Sequence, residues 1–104
     1  MRIIVHKIKL KAGVSAAQFE DWVKSTDYRA CPDLPSVLSF SVQRASDAAN
    51  APFHFFEVIQ VSSVEAFERD MKTSLFESLV AGFSKMADVV EELSGERVDP
   101  GFRR

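Results

Sequence analysis

An α+β domain in the order β-α-β-β-α-β is what the sequence predicts, on three observations. Two segments, Ile4-His6-Ile8-Leu10 and Phe53-Phe55-Glu57-Ile59-Val61, carry apolar residues at alternate positions, the period of a strand with one buried face. A third, with Leu38, Phe40 and Val42 set against Ser39, Ser41 and Gln43, alternates in the same way. After the first and the last of them come stretches whose apolar residues recur at helical intervals.

In chain order, Arg2 to Leu10 is β-branched and alternating and reads as the first strand, closed by the turn Lys11-Ala12-Gly13. Ser15 to Gln18 has the spacing of a capping box, and Phe19, Trp22, Val23, Thr26 and Ala30 follow on one helix face up to the breaker Pro32. Pro32 to Pro35 connects to a strand over Ser36 to Arg44. A polar linker, Ser46 to Pro52, leads into Phe53 to Val61, whose hydrophobicity suits the middle of a sheet. Ser62 to Glu65 and Ser74 to Glu77 repeat the capping spacing, so the second helical region is expected to break in two near Lys72-Thr73, the second piece presenting Leu75, Phe76, Leu79, Val80 and Phe83. A short last strand is expected around Asp88 to Leu93. Residues 1–97 then form a single domain and residues 98–104 a C-terminal arm.

This order is the ferredoxin-like arrangement, with the first and third strands as central neighbours and both helices on one face of an antiparallel sheet. Val5, Val37, Phe56 and Val58 are expected on the opposite, bare face. A second copy of the chain is the simplest cover for it, giving a homodimer with its sheets face to face.

The bulk numbers narrow the function. The chain has 104 residues, 46% of them hydrophobic, enough for one core. A net charge of -2 argues against nucleic acid and anionic membrane as partners, since either needs concentrated basic surface. With one cysteine and no apolar run of signal or membrane-spanning length, a soluble cytoplasmic protein is expected. Cys31 reads as a small hydrophobe beside Pro32. Nine Phe, one Trp and one Tyr serve either a Phe-rich core or an aromatic-lined pocket or dimer interface.

The chemistry concentrates on His6 and Glu57. Each is the only ionisable group on its apolar strand face, and the fold sets the two strands side by side. Buried, each is costly unless the other or a ligand satisfies it. A carboxylate beside an imidazole raises the histidine pKa and orients one ring nitrogen, which leaves the other to move a proton near neutral pH. The alternative for His6 is a core histidine bonded locally. Asp27 and Tyr28, at the end of the first helix, are further catalytic candidates, with solvent exposure as the alternative. His54 has the opposite parity to Glu57 and is expected on the other sheet face, and Asp70 and Glu92 are expected as surface carboxylates near the pocket. Two histidines on opposite faces and one cysteine make no metal set, and there is no phosphate loop, nucleophile elbow or dinucleotide motif, so neither metal nor cofactor is expected.

Ile8 to Ser15, together with Ser63-Val64-Glu65-Ala66-Phe67, resembles the dimeric α+β barrel superfamily, which includes the stress-responsive Dabb group. More narrowly, Trp22-Val23, Thr26-Asp27-Tyr28, the run from Cys31 to Val37 and Phe40-Ser41-Val42 are similar to the RedY/HapK-like proteins of prodiginine and indole-alkaloid biosynthesis. That resemblance implies a small enzyme that cyclises or condenses an aromatic pyrrole or indole intermediate without a cofactor. A cofactor-free oxygenase and a non-catalytic intermediate-binding protein are the alternatives. The superfamily also contains a cofactor-free polyketide cyclase. This chain has Ile4, Asp70 and Phe76 where the cyclase has its catalytic His, Tyr and His, so that chemistry does not carry over. The implied pocket wall does: Ile4, His6, Ile8, Trp22, Val23, Thr26, Glu57, Leu79 and Val90, with Phe76 beside them.

Overall fold

The computed structural model describes residues 1–104, and its four strands form one antiparallel sheet in the spatial order β2-β3-β1-β4. The strands are β1 (Arg2–Leu10), β2 (Val37–Arg44), β3 (Phe55–Val61) and β4 (Ala87–Glu96). The helices are α1 (Ala16–Trp22), α2 (Tyr28–Ala30), α3 (Val64–Met71) and α4 (Ser74–Ser84). This is the ferredoxin-like fold with its second helical region broken in two. Strands β1 and β3 are central, as the apolar alternation of both requires.

Local chemistry sets the element ends. Ser15 closes a true capping box: its Oγ accepts from the Gln18 N–H at 3.1 Å while the Gln18 side chain accepts the Ser15 N–H at 2.8 Å. The chain then stays helical past Trp22, but through a wide π turn (Val23–Asp27) before α2, ending in a 3-10 turn (Cys31–Asp33) that contains Pro32. The two later caps are Ser63 and Thr73, in place of Ser62 and Ser74. Thr73 wins because its hydroxyl does two things, accepting from the Phe76 N–H and donating to the Asp70 carbonyl at 2.6 Å.

Several expectations are corrected. β4 runs from Ala87 to Glu96, longer than the apolar pattern suggests, because the backbone of Arg2 to Ile4 pairs with its polar end, Arg2 opposite Glu96. β3 starts at Phe55, and His54 sits in the preceding bend, buried. The Leu10 N–H donates to its Nδ1 at 3.0 Å and its Nε2–H donates to the Ala48 carbonyl at 3.0 Å, so His54 ties the β2–β3 connection to the end of β1 and faces neither solvent nor a partner. Val37 lies on the helix-covered face, because a bulge between Val37 and Ser39 brings it opposite the buried Val61. Val5, Phe56 and Val58 do lie on the open face, joined by Leu93 opposite Val5.

On the covered face the core divides. At one end Phe19 packs on Phe55 (centroids 4.8 Å apart) and Phe83 (6.0 Å), enclosing Ile8, Val23 and Ala87. Each such ring pair adds about 0.5–1.5 kcal/mol beyond its burial. At the other end Ile4, Ile59 and Val61 meet Phe67, while Ala30, Leu34 and Leu79 form a third group under the helices.

Asp70 is the polar fastener of that second end. It is buried, and one carboxylate oxygen accepts both the Ser36 N–H at 2.8 Å and the Ser36 hydroxyl, linking α3 to the start of β2. Replacing Asp70 with Ala leaves the Ser36 donors buried and unpaired, and urea denaturation should show a loss of about 2–3 kcal/mol; a loss under about 0.5 kcal/mol would mean that water takes over the bonds.

Candidate active site

The helices do not close down on the sheet everywhere. Between them and the covered face lies a cavity of about 540 Å³, within the range of small-molecule sites. Ile4, Val37, Phe40 and Ile59 form its floor, and Trp22, Phe67, Phe76, Leu79 and Phe83 its walls. Trp22 stands where it does because residue 82 is glycine: a Cβ there would come within 3.0 Å of the indole Nε1. The charged residues of the lining are His6 and five carboxylates, Asp27, Glu57, Glu68, Asp88 and Glu92, with no Lys or Arg.

His6 occupies the middle strand of a polar row. Its Nδ1 is 3.0 Å from Glu57 Oε2 on β3 and its Nε2 is 2.7 Å from Glu92 Oε1 on β4. The register explains this, since His6 lies directly opposite both residues. Two ionised carboxylates need two N–H donors, which only the imidazolium has. The bond to Glu57 accordingly raises the His6 pKa; burial opposes this, and Glu92 reinforces it.

Asp27 faces the same cavity from the end of the π turn. Its carboxyl makes no hydrogen bond, and burial, aided by the negative charge of Glu57, pushes its pKa up to about 7. Near neutrality it is therefore divided between acid and carboxylate. The Cys31 thiol donates weakly to the Asp27 carbonyl at 3.6 Å, and burial, with Asp27 and Glu57 nearby, raises its pKa too, which makes it inert. No three His, Cys, Asp or Glu side chains converge in a metal-binding arrangement.

Of the residues singled out in the sequence, Ile4, His6, Trp22, Asp27, Glu57, Phe76 and Leu79 line this cavity. Five others do not. Ile8 and Val23 belong to the filled end of the core, where Phe19 and Phe55 occupy the space. Thr26 is exposed, because the π turn carries Asp27 inward. Tyr28 packs edge-on against Phe40 and its hydroxyl accepts the Val42 N–H at 2.9 Å, so it caps the edge strand β2 outside the cavity. Val90 is the extra residue of a bulge in β4 and points away, leaving Val89 on the cavity side. Glu92 is half-exposed as a surface carboxylate would be, yet bonded to His6, and Asp70 is buried away from the cavity. That Glu92 meets His6 could have been found only by knowing the β1–β4 register.

The chain matches the model of the family described as REDY-like protein HapK over residues 2–98. Among solved structures it is similar to HapK from Hahella chejuensis, at 51% identity over 100% of this chain and 99% of that one, with a TM-score of 0.92. It shares its fold with SnoaB, a cofactor-independent oxygenase from Streptomyces nogalater (13% identity, 95% and 94% of the two chains, TM-score 0.74). The same holds for a dimeric ferredoxin-like protein from Thermobifida fusca (14% identity, 90% and 85%, TM-score 0.64). No protein with a curated description matches the sequence.

Two consequences are measurable. Glu57→Gln keeps the shape but removes the larger charge partner of His6, so NMR titration of the imidazole should show a lower midpoint; an unchanged midpoint would mean that Glu57 does not set it. Asp27 has a folded pKa above its unfolded one, so the stability it contributes is complete below pH 3.8 and is lost as pH rises to about 7. Asp27→Asn should match the wild type at pH 4 and exceed it at pH 8 by more than about 1.4 kcal/mol, the worth of one pKa unit, in denaturant titrations at the two pH values.

Proposed function

The chain belongs to the REDY-like HapK family, and from that premise we propose an acid–base catalyst, acting without a cofactor, that condenses or cyclises a flat pyrrole or indole intermediate in bacterial secondary metabolism of the prodiginine or bisindole kind. One observation carries this reading: Asp27, poised near pH 7 and free of partners, lies in the same apolar cavity as Glu57. Glu57 uses only Oε2 for His6. No buried side-chain oxygen in the chain lacks a partner, so the unbonded oxygens of Asp27 and Glu57 are accessible from the cavity.

The chemistry follows from that pair. As the acid, Asp27 donates a proton to a ring carbon or a departing oxygen; as the base, the free oxygen of Glu57 removes one from the ligand. His6 has both nitrogens engaged and therefore acts on Glu57 and not directly on the ligand. Positioned proton transfer is worth about 10²–10⁴-fold, and holding two reactive groups together adds more. Trp22 and the surrounding phenylalanines supply faces for a planar ring.

Hydrogen–deuterium exchange at C3 of indole in D2O under nitrogen isolates the proton-transfer step and excludes oxygen chemistry. The wild type should accelerate it, Asp27→Asn and His6→Ala should lose at least about 10²-fold, and Trp22→Ala should raise KM with kcat nearly kept. Tight indole binding without any acceleration would make the chain a binding protein instead.

A homodimer belongs to the same proposal. Val5, Phe56, Val58 and Leu93 make an apolar patch on the side of the sheet that no helix covers, and a second sheet would bury it. Val58→Lys buries an unpaired charge at that centre and should yield a monomer in light scattering, where the unmodified chain gives a dimer.

A further inference from the structure

Glu92 stands apart from the other carboxylates of the cavity. Its side chain is 60% exposed, against 12% for Glu57 and 20% for His6, and His6 is its single side-chain partner. The nearby cations of β1 are engaged elsewhere, Lys7 with Glu91 on the opposite sheet face and Arg2 with Ser94 and Glu96. The fold also makes a local exception to place it. Counting by alternation from Ala87 and Val89, which face the helices, Glu91 would point at His6 and Glu92 away from it. The bulge adds Val90 between the Ile8–Val89 and Lys7–Glu91 pairs, reverses the parity, and aims Glu92 at His6. Bulges beside functional sites serve to re-aim side chains in this manner.

We propose that Glu92 is a positioning residue of the site: by taking the Nε2–H of His6 it fixes the ring as an imidazolium whose Nδ1–H is committed to Glu57, which leaves Glu57 Oε1 to face the ligand. Without Glu92, a neutral His6 has two tautomers to choose from. The one protonated on Nε2 turns a bare Nδ1 toward Glu57, and that contact holds only if Glu57 takes up a proton, which disables it as a base. The inference rests on the acid–base reading for its effect on rate, but its effect on His6 does not.

The other titratable groups facing the cavity with His6 are Glu57 from β3, Asp27 from the π turn, Cys31, Glu68 of α3 and Asp88 of β4; four are carboxylates and one a thiol, so none competes with His6 as a cation, and of them only Glu57 is hydrogen-bonded to the ring. An exposed ion pair of this type contributes about 0–1 kcal/mol to stability, so a purely structural role predicts little change in stability and an unaltered pH–rate profile.

The test uses Glu92→Gln and Glu92→Ala in the full chain. In ¹⁵N NMR of the ring, both variants should titrate His6 at lower pH, with a neutral tautomer populated where the wild type is still an imidazolium. In the indole exchange assay both should lower kcat about tenfold above the new midpoint and leave KM unchanged, moving the alkaline limb of the pH–rate profile to lower pH. Glu92→Asp should recover part of the lost rate. An unchanged His6 titration overturns the proposal, as does a shifted titration with an unaltered pH–rate profile. If Asp27→Asn remains fully active, the acid–base reading fails by itself, while a shifted His6 titration in Glu92→Gln still upholds the orienting contact.

Discussion

Antiparallel pairing of β1 with a neighbour on each side puts His6 between Glu57 and Glu92, and the polar chemistry of the cavity is organised around that one row. A slip of one residue in either pairing would turn an entire strand over and replace a carboxylate with a residue of the opposite face. The register is protected by what surrounds it. Ile4 and Ile59 lie one step along the same face, Ile8 and Phe55 one step the other way, and all four are buried, so a slip would expose them together. The same apolar contacts that stabilise the sheet thus hold an imidazole and a carboxylate within 3.0 Å of each other.

The covered face of the sheet is used in two ways. Where β1 ends, Phe19 and Phe55 fill the space beside Ile8 and Val23, all of them buried. Toward the start of β1, Asp70 ties α3 to the entrance of β2 through Ser36, and the Thr73 hydroxyl bonds the Asp70 carbonyl at the break between α3 and α4. The cavity lies between the helices and the sheet, with Trp22, Phe67 and Phe76 among its walls. Its apolar lining makes each charge inside it felt strongly, and this is why Asp27, which would ionise well below neutrality in water, holds its proton up to about pH 7.

The fold is shared with proteins of quite different sequence, including a cofactor-independent oxygenase at 13% identity, so the scaffold alone does not choose a reaction. On that scaffold this chain places an imidazole bonded by two carboxylates of the sheet, and an acid without a hydrogen-bond partner delivered from the helix side by a π turn. Wide turns of that kind insert one extra residue into a helical frame and recur at functional sites because they rotate a chosen side chain out of the regular pattern.

The element order, the central place of β1 and β3, the split in the second helical region and the His6–Glu57 meeting were all readable in the sequence, because each follows from a local period or from parity along a strand. Ile4, Trp22, Phe76 and Leu79 were named as lining through the resemblance to the dimeric α+β barrel superfamily, and the cavity has all four in its lining. What needed the tertiary structure were the departures from period. The bulge at Val90 exchanged Val90 for Val89 and brought Glu92 to His6; the bulge after Val37 turned that residue inward; the π turn left Thr26 outside and brought Asp27, a candidate whose alternative was solvent exposure, to the cavity. Tyr28 looked equally placed until its hydroxyl was seen bonded to the edge strand, and Ile8 and Val23 until Phe19 was seen to fill the space beside them. A one-residue insertion costs little in local sequence signal but reverses everything after it, and whether a buried face is packed or hollow depends on side chains far away in the chain. Those two properties belong to the assembled structure alone.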